Sequence, residues 1–185
     1  MTLAPRGAPA GSSGSSPGAG VLYAVWGAIG LSVLVEFALL LVLQRGGSVE
    51  ISDRGGALAP GVHVALALAL FAGLALVVGL LRSKSRDPER LARASSETPA
   101  PAGADAGGPG VPARVVQLRF LALNAIGWVA AESLAILGFG LALGLPPVPR
   151  LALTVYFTGA LFLWLWSRPD LSALSEAQRR AAGRA

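Results

Sequence analysis

The chain lacks cysteine altogether and carries a single histidine, His63. Disulfides, thiolate zinc sites and multi-histidine metal centres are thereby excluded. Charge is scarce: 14% of the 185 residues are Asp, Glu, Lys or Arg, where soluble domains carry about a quarter. Aromatic residues amount to 6%, whereas 54% are hydrophobic and the mean hydropathy is +0.63. A chain so short of charge has too little polar surface to face water as a globule, which points to a membrane. The +5 net charge does not indicate nucleic acid, because the basic residues lie in linkers and tails beside apolar runs. That is the pattern of membrane orientation signals.

Four apolar runs are present: Val21–Leu43, Val62–Leu81, Phe120–Leu145 and Leu151–Trp166. A hydrocarbon core of roughly 30 Å needs about 20 helical residues. The first three runs meet this length, and the fourth does so once extended towards Arg168. Helix is the only spanning structure that satisfies its own backbone within each run. The expected fold class is therefore all-α, a polytopic membrane protein whose four helices form two antiparallel hairpins. Residues 1–20, rich in Gly, Ser and Pro, read as a disordered tail. Residues 21–82 form the first hairpin, 83–118 a partly disordered linker, 119–168 the second hairpin and 169–185 a tail. Within the linker, RSKSRDPERLAR suits a short helix on the membrane surface, and SSETPAPAGADAGGPGVPA a flexible tether.

Orientation follows from Lys and Arg. The N-terminus, the middle linker and the C-terminal tail together hold twelve basic residues, and the two hairpin loops hold three. The positive-inside rule places both termini and the linker in the cytoplasm of a plasma (inner) membrane. Trp26, Trp164 and Trp166 fall towards the same inner side and suit an interfacial belt. The hairpins share a faint likeness, with Ala-Ile-Gly followed by Glu in the first helix of each and Phe-x-Gly with a later Arg in the second. Duplication stays open on these matches alone.

Two acids stand inside apolar runs: Glu36 in the first and Glu132 near the middle of the third. An ionised side chain at such depth costs roughly 2.5–3.5 kcal/mol on insertion scales. Each glutamate is therefore expected to be neutral, hydrogen-bonded or paired inside the bundle. Ser32 lies one turn from Glu36 and can reach its carboxyl. Asn124, Trp128 and Glu132 recur every four residues, and Thr154 and Thr158 on the fourth run are further candidate partners. Small residues at Gly127, Ala131, Ala135, Gly138 and Ala142 favour close helix approach, and Gly140 with Gly144 adds a GxxxG on a neighbouring face. The candidate proton- or ion-binding residues are Glu132 and Glu36, supported by Asn124, Ser32 and Thr158. No nucleophile–base pair, metal cluster or phosphate-binding glycine loop is found, so no catalytic residue, metal or cofactor is assigned.

The stretch ALNAIGWVAAESLAILGFGLALG, Ala122–Gly144, resembles the ion-carrying helix of rotary ATPase proteolipids, the c-ring subunits. Small residues precede the glutamate, and Leu-Ala-Ile, an intervening residue, Gly and an aliphatic run follow it. The resemblance implies that Glu132 binds a proton or sodium ion at mid-membrane. In contrast to that family, the glutamate lies in the first helix of its hairpin, and Val64–Leu81 is not packed with closely spaced glycines. Two functions compete: an ion- or proton-coupled membrane protein, or an accessory or assembly subunit whose glutamates lock helices together. The partners expected are the lipid bilayer and a homo-oligomer or larger membrane complex, with no nucleic acid.

Overall fold

The structure, a computed structural model, describes residues 17–49, 51, 59–97, 111–144 and 147–183. Among them it is helical throughout apart from turns and one isolated bridge. The elements are α1 (Pro17–Arg45), α2 (Pro60–Ser85), α3 (Pro88–Glu97), α4 (Val111–Gly144), α5 (Arg150–Trp166) and α6 (Leu171–Ala182). Four stretches are long and apolar enough to cross a membrane: α1, α2, α4 and the stretch beginning with α5. Of the tail expected to be disordered over 1–20, residues 17–20 instead open α1, while residues 1–16 and most of the tether fall outside the described residues.

Local signals set the helix ends. Pro60 opens α2 at a position whose N–H needs no partner. α1 stops where Gly47 adopts φ +72° and the N–H of Ser48 reaches back to the Leu43 carbonyl. This left-handed closure suits glycine because it has no Cβ. α5 is the shortest spanning element, 17 residues, or about 25 Å at 1.5 Å per residue. Pro169 follows it, and a new helix starts at once.

α4 and α5 lie against each other along their lengths. Gly127 approaches Ser167, Leu134 approaches Gly159 and Gly138 approaches Tyr156, so the chain reverses between the two. α1 and α2 each lean on this central pair rather than on each other. α1 meets α5 through Trp26–Trp164, Gly30–Trp164 and Phe37–Phe157. α2 meets α5 through Phe71–Phe162 and Gly79–Trp166, and α4 through Val78–Gly127. The two halves of the chain therefore do not pack as equivalents, since one helix pair is intimate and the other is not. At one end of the bundle the two connecting loops meet in a parallel bridge between Ile51 and Val148; we call this the loop end.

The other end carries most of the arginines, and a second small core lies there. Leu91 and Ala92 of α3, Val116, Phe120 and Trp128 of α4, and Leu174, Ala177 and Ala181 of α6 are buried with Leu22 of α1. α4 begins at Val111, well before its apolar run, and its first turns form the wall of this core. Of RSKSRDPERLAR, expected as one short surface helix, residues 82–85 end α2 and a separate helix, α3, starts at Pro88. Asp87 caps it by accepting from the Glu89 and Arg90 N–H groups, and its apolar face meets α6 and α4.

α6 was read from sequence only as a tail. Its start is fixed by Asp170, which accepts from the Ala173 N–H and from the Ser172 hydroxyl. The Ser172 hydroxyl, followed by the Ala173 N–H and the nearby Arg86, holds the Asp170 carboxyl below the usual aspartate range, against a burial effect of opposite sign. A depressed folded-state value means stability that is present above the unfolded value and lost as pH falls through the folded one. The cap should therefore survive ordinary pH and fail only under acid, below about pH 3.9. Asp170→Ala should cost about 1 kcal/mol. The check is whether this variant raises amide exchange in α6 while leaving α2 unchanged.

Candidate functional site

α1 and α4 meet along a seam that holds the two membrane acids. The Ser32 hydroxyl on α1 donates to Oε1 of Glu132 on α4 at 3.0 Å. Glu36, one turn further along α1, lies within electrostatic reach of Glu132. Its Oε2 is shielded and has no hydrogen-bond partner. Ser32, Glu36 and Glu132 are all half-buried. Their neighbours Val35, Val129 and Ile136 are more than half exposed. The cluster thus sits at the rim of the bundle, between two helices and beside the lipid-facing surface.

Two mid-membrane residues, far apart in sequence, are brought together here. The hydroxyl expected to serve Glu36 serves Glu132 instead. Ser32 and Glu36 share a face of α1, but α4 passes close enough to take the hydrogen bond. An interhelical bond of this kind fixes the rotation of one helix on the other.

The other supporting residues are placed elsewhere. Asn124 is buried, and its side-chain amide donates to the Phe120 carbonyl of its own helix at 2.8 Å. Two steps of four residues rotate roughly 80° around a helix of 3.6 residues per turn. The Asn124–Trp128–Glu132 stripe therefore drifts from the core to the rim. Thr158 and Thr154 are exposed and donate back to the Thr154 and Arg150 carbonyls of α5. They line an apolar groove of about 400 Å³ between α1 and α5, together with Val33, Phe37, Leu40 and Phe157. His63 is buried near the loop end, and among the described residues neither ring nitrogen has a hydrogen-bond partner. Glu36 and Glu132 line neither this groove nor the polar cavity at the basic end. Among the described residues, no group of three His, Cys, Asp or Glu side chains could hold a metal ion.

Trp26, Trp128 and Trp164 tie helices of the bundle to one another. Trp26 and Trp164 stack with ring centroids 4.5 Å apart, and each indole N–H donates to the other residue's carbonyl, at 3.0 and 2.7 Å. Trp128 is fully buried and donates to the Ser167 carbonyl at the end of α5. These ties hold α1, α4 and α5 in register a short distance from the carboxyls. The sequence signal for them was available in Gly30, whose missing side chain admits the Trp164 ring, but it gives no partner by itself. Compared with family models, with curated proteins and with solved structures, the chain shows no match.

Proposed function

We propose that this chain is an integral protein of a plasma (inner) membrane that binds a proton or cation at the Glu36–Glu132 pair. Its four passes alternate across the bilayer, α4 and α5 as a packed antiparallel hairpin and α1 and α2 joined in sequence but each packed on that pair, with both termini and the middle linker in the cytoplasm. The basic bias of the tails and linker supports that orientation. The hydrogen bond from Ser32 to Glu132, with Glu36 beside it, carries the functional reading. Two carboxylates on adjacent helices in a low-dielectric medium repel strongly if both are charged. A single proton or a small monovalent cation relieves that repulsion, and the Ser32 hydroxyl donates to whichever form leaves Glu132 as the acceptor. The resemblance of Ala122–Gly144 to rotary ATPase proteolipids assigns the same role to Glu132.

Carbodiimide labelling of the reconstituted protein tests this. A membrane-soluble carbodiimide reaches carboxyls held out of bulk water, so Glu132 should be modified, and Glu132→Gln should lose the label. Glu132→Gln should abolish proton or cation uptake in vesicles. Intact flux in that variant would sink the proposal. A second reading, an accessory subunit, is favoured by the same hydrogen bond taken as a clasp and by the exposed rim around it, which a partner helix would cover. On that reading Glu132→Gln keeps assembly, because the amide still accepts from Ser32, whereas Glu132→Leu disrupts it.

A further inference from the structure

At the basic end, remote from the carboxyls, α1, α2 and the α5–α6 turn enclose a polar cavity of about 350 Å³. Arg82, Arg86 and Arg168 line it, with Tyr23, Asp170 and Ser172. Three cations face one carboxylate there, an excess of two positive charges. The carboxylate is already engaged: Asp170 caps α6, accepts from Ser172 and lies 3.6 Å from Arg86. Arg168 lies over the Tyr23 ring, 5.9 Å from its centroid. Among the described residues the shielded Nε and Nη1 of Arg82 have no hydrogen-bond partner, although Asp170 lies within electrostatic reach of the guanidinium. Guanidinium N–H groups withdrawn from water without an acceptor are costly, and a buried guanidinium ordinarily faces an anion.

We propose that this cavity binds a phosphate group. Arg presents its donors as a planar fork that matches two phosphate oxygens, and two such forks are left when Arg86 is assigned to Asp170. The Tyr23 hydroxyl adds a neutral donor; the Ser172 hydroxyl is already given to Asp170. The position of the cavity bears on the source of the phosphate. Tyr23 stands in the first turns of α1, Arg82 in the last turn of α2 and Arg168 just beyond α5, where the apolar segments end. This is the depth at which phospholipid headgroups lie, and the cavity is open to an anionic headgroup from the side and to free phosphate from the water.

The test uses the full-length chain in nanodiscs of phosphatidylcholine, with or without a minority of phosphatidylglycerol. Bound lipid is counted by native mass spectrometry, and unfolding is followed by tryptophan fluorescence. Wild type should retain phosphatidylglycerol selectively and melt at higher temperature in its presence. Arg82→Gln with Arg168→Gln should weaken retention by about tenfold or more, as expected when two charge-assisted contacts are lost. Arg90→Gln with Arg179→Gln removes the same charge from exposed positions on α3 and α6 and should leave retention unchanged. Tyr23→Phe keeps the ring beneath Arg168 and should weaken retention more mildly, which covers the case of a double variant that does not fold. Inorganic phosphate, titrated into phosphatidylcholine discs at constant ionic strength, separates the sources. Stabilisation by phosphate with no added effect of phosphatidylglycerol supports the site with free phosphate as its ligand. Equal losses in the pocket and control variants would mean diffuse surface attraction and would overturn the proposal, as would indifference of wild type to both anions.

Discussion

Replacing Trp164 by alanine should destabilise the bundle by about 2–3 kcal/mol, below the range for a fully buried large aromatic because the ring is half-buried. Water is not the competing solvent inside a bilayer, so close packing and interhelical hydrogen bonds carry helix association there. Trp164 supplies both. Its ring stacks on Trp26 at 4.5 Å and 12°, and its N–H donates to the Trp26 carbonyl at 2.7 Å. Gly30 packs flat on the same ring. Alanine removes the stack and one of the two reciprocal bonds, and it leaves a void facing a glycine that has no side chain to fill it. Trp164→Phe keeps an aromatic face against Trp26 and loses the N–H donor, so it should cost about 1 kcal/mol. Thermal unfolding of the whole chain in mild detergent, followed by circular dichroism, measures both. A Trp164→Ala protein that melts with wild type would show that the stacked pair does not hold α1 to α5.

The four long helices were legible because length and apolarity are properties of each segment by itself. α6 was not expected, although Asp170 as a cap and the spacing of Leu171, Leu174, Ala177 and Ala181 spell a short amphipathic helix. Against the apolar runs that weak pattern read as a tail, and its partner α3 lies far away in sequence. The candidate site shows the same division. Glu36 and Glu132 stand out as acids in apolar runs, but nothing in either run pairs one with the other. The identity of their partners depends on helix rotation. Ser32 was assigned to the acid on its own helix, and Asn124 and Thr158 to Glu132, because spacing along one helix says nothing about which neighbour crosses it. The basic cavity was equally hidden: Tyr23, Arg82 and Arg168 come from three segments, each of which reads as an ordinary interfacial residue.

Gly138 and Gly140 both lie in the small-residue stretch of α4, but valine should be tolerated at only one of them. A Cβ at Gly138 would fall 2.7 Å from the Cβ of Tyr156 and 3.0 Å from its ring. The first of these is fixed to the α5 backbone, so a rotamer change cannot relieve the clash, and α4 and α5 must part. A Cβ at Gly140 meets nothing within 4 Å. Helix propensity changes equally at both positions, so the difference between the two variants isolates packing. Gly138→Val should lose about 1–3 kcal/mol or more, as overpacked cores do; Gly140→Val should stay close to wild type. The site supplies a second readout, because Glu132 stands on the same helix and Ser32 reaches it across a single 3.0 Å bond. A displacement of α4 large enough to admit a valine would break that bond, so Gly138→Val should also change the rate of carbodiimide labelling at Glu132. Equal destabilisation by Gly140→Val would mean that the open Gly140–Gly144 face is covered in the membrane by another helix, since nothing among the described residues opposes a side chain there.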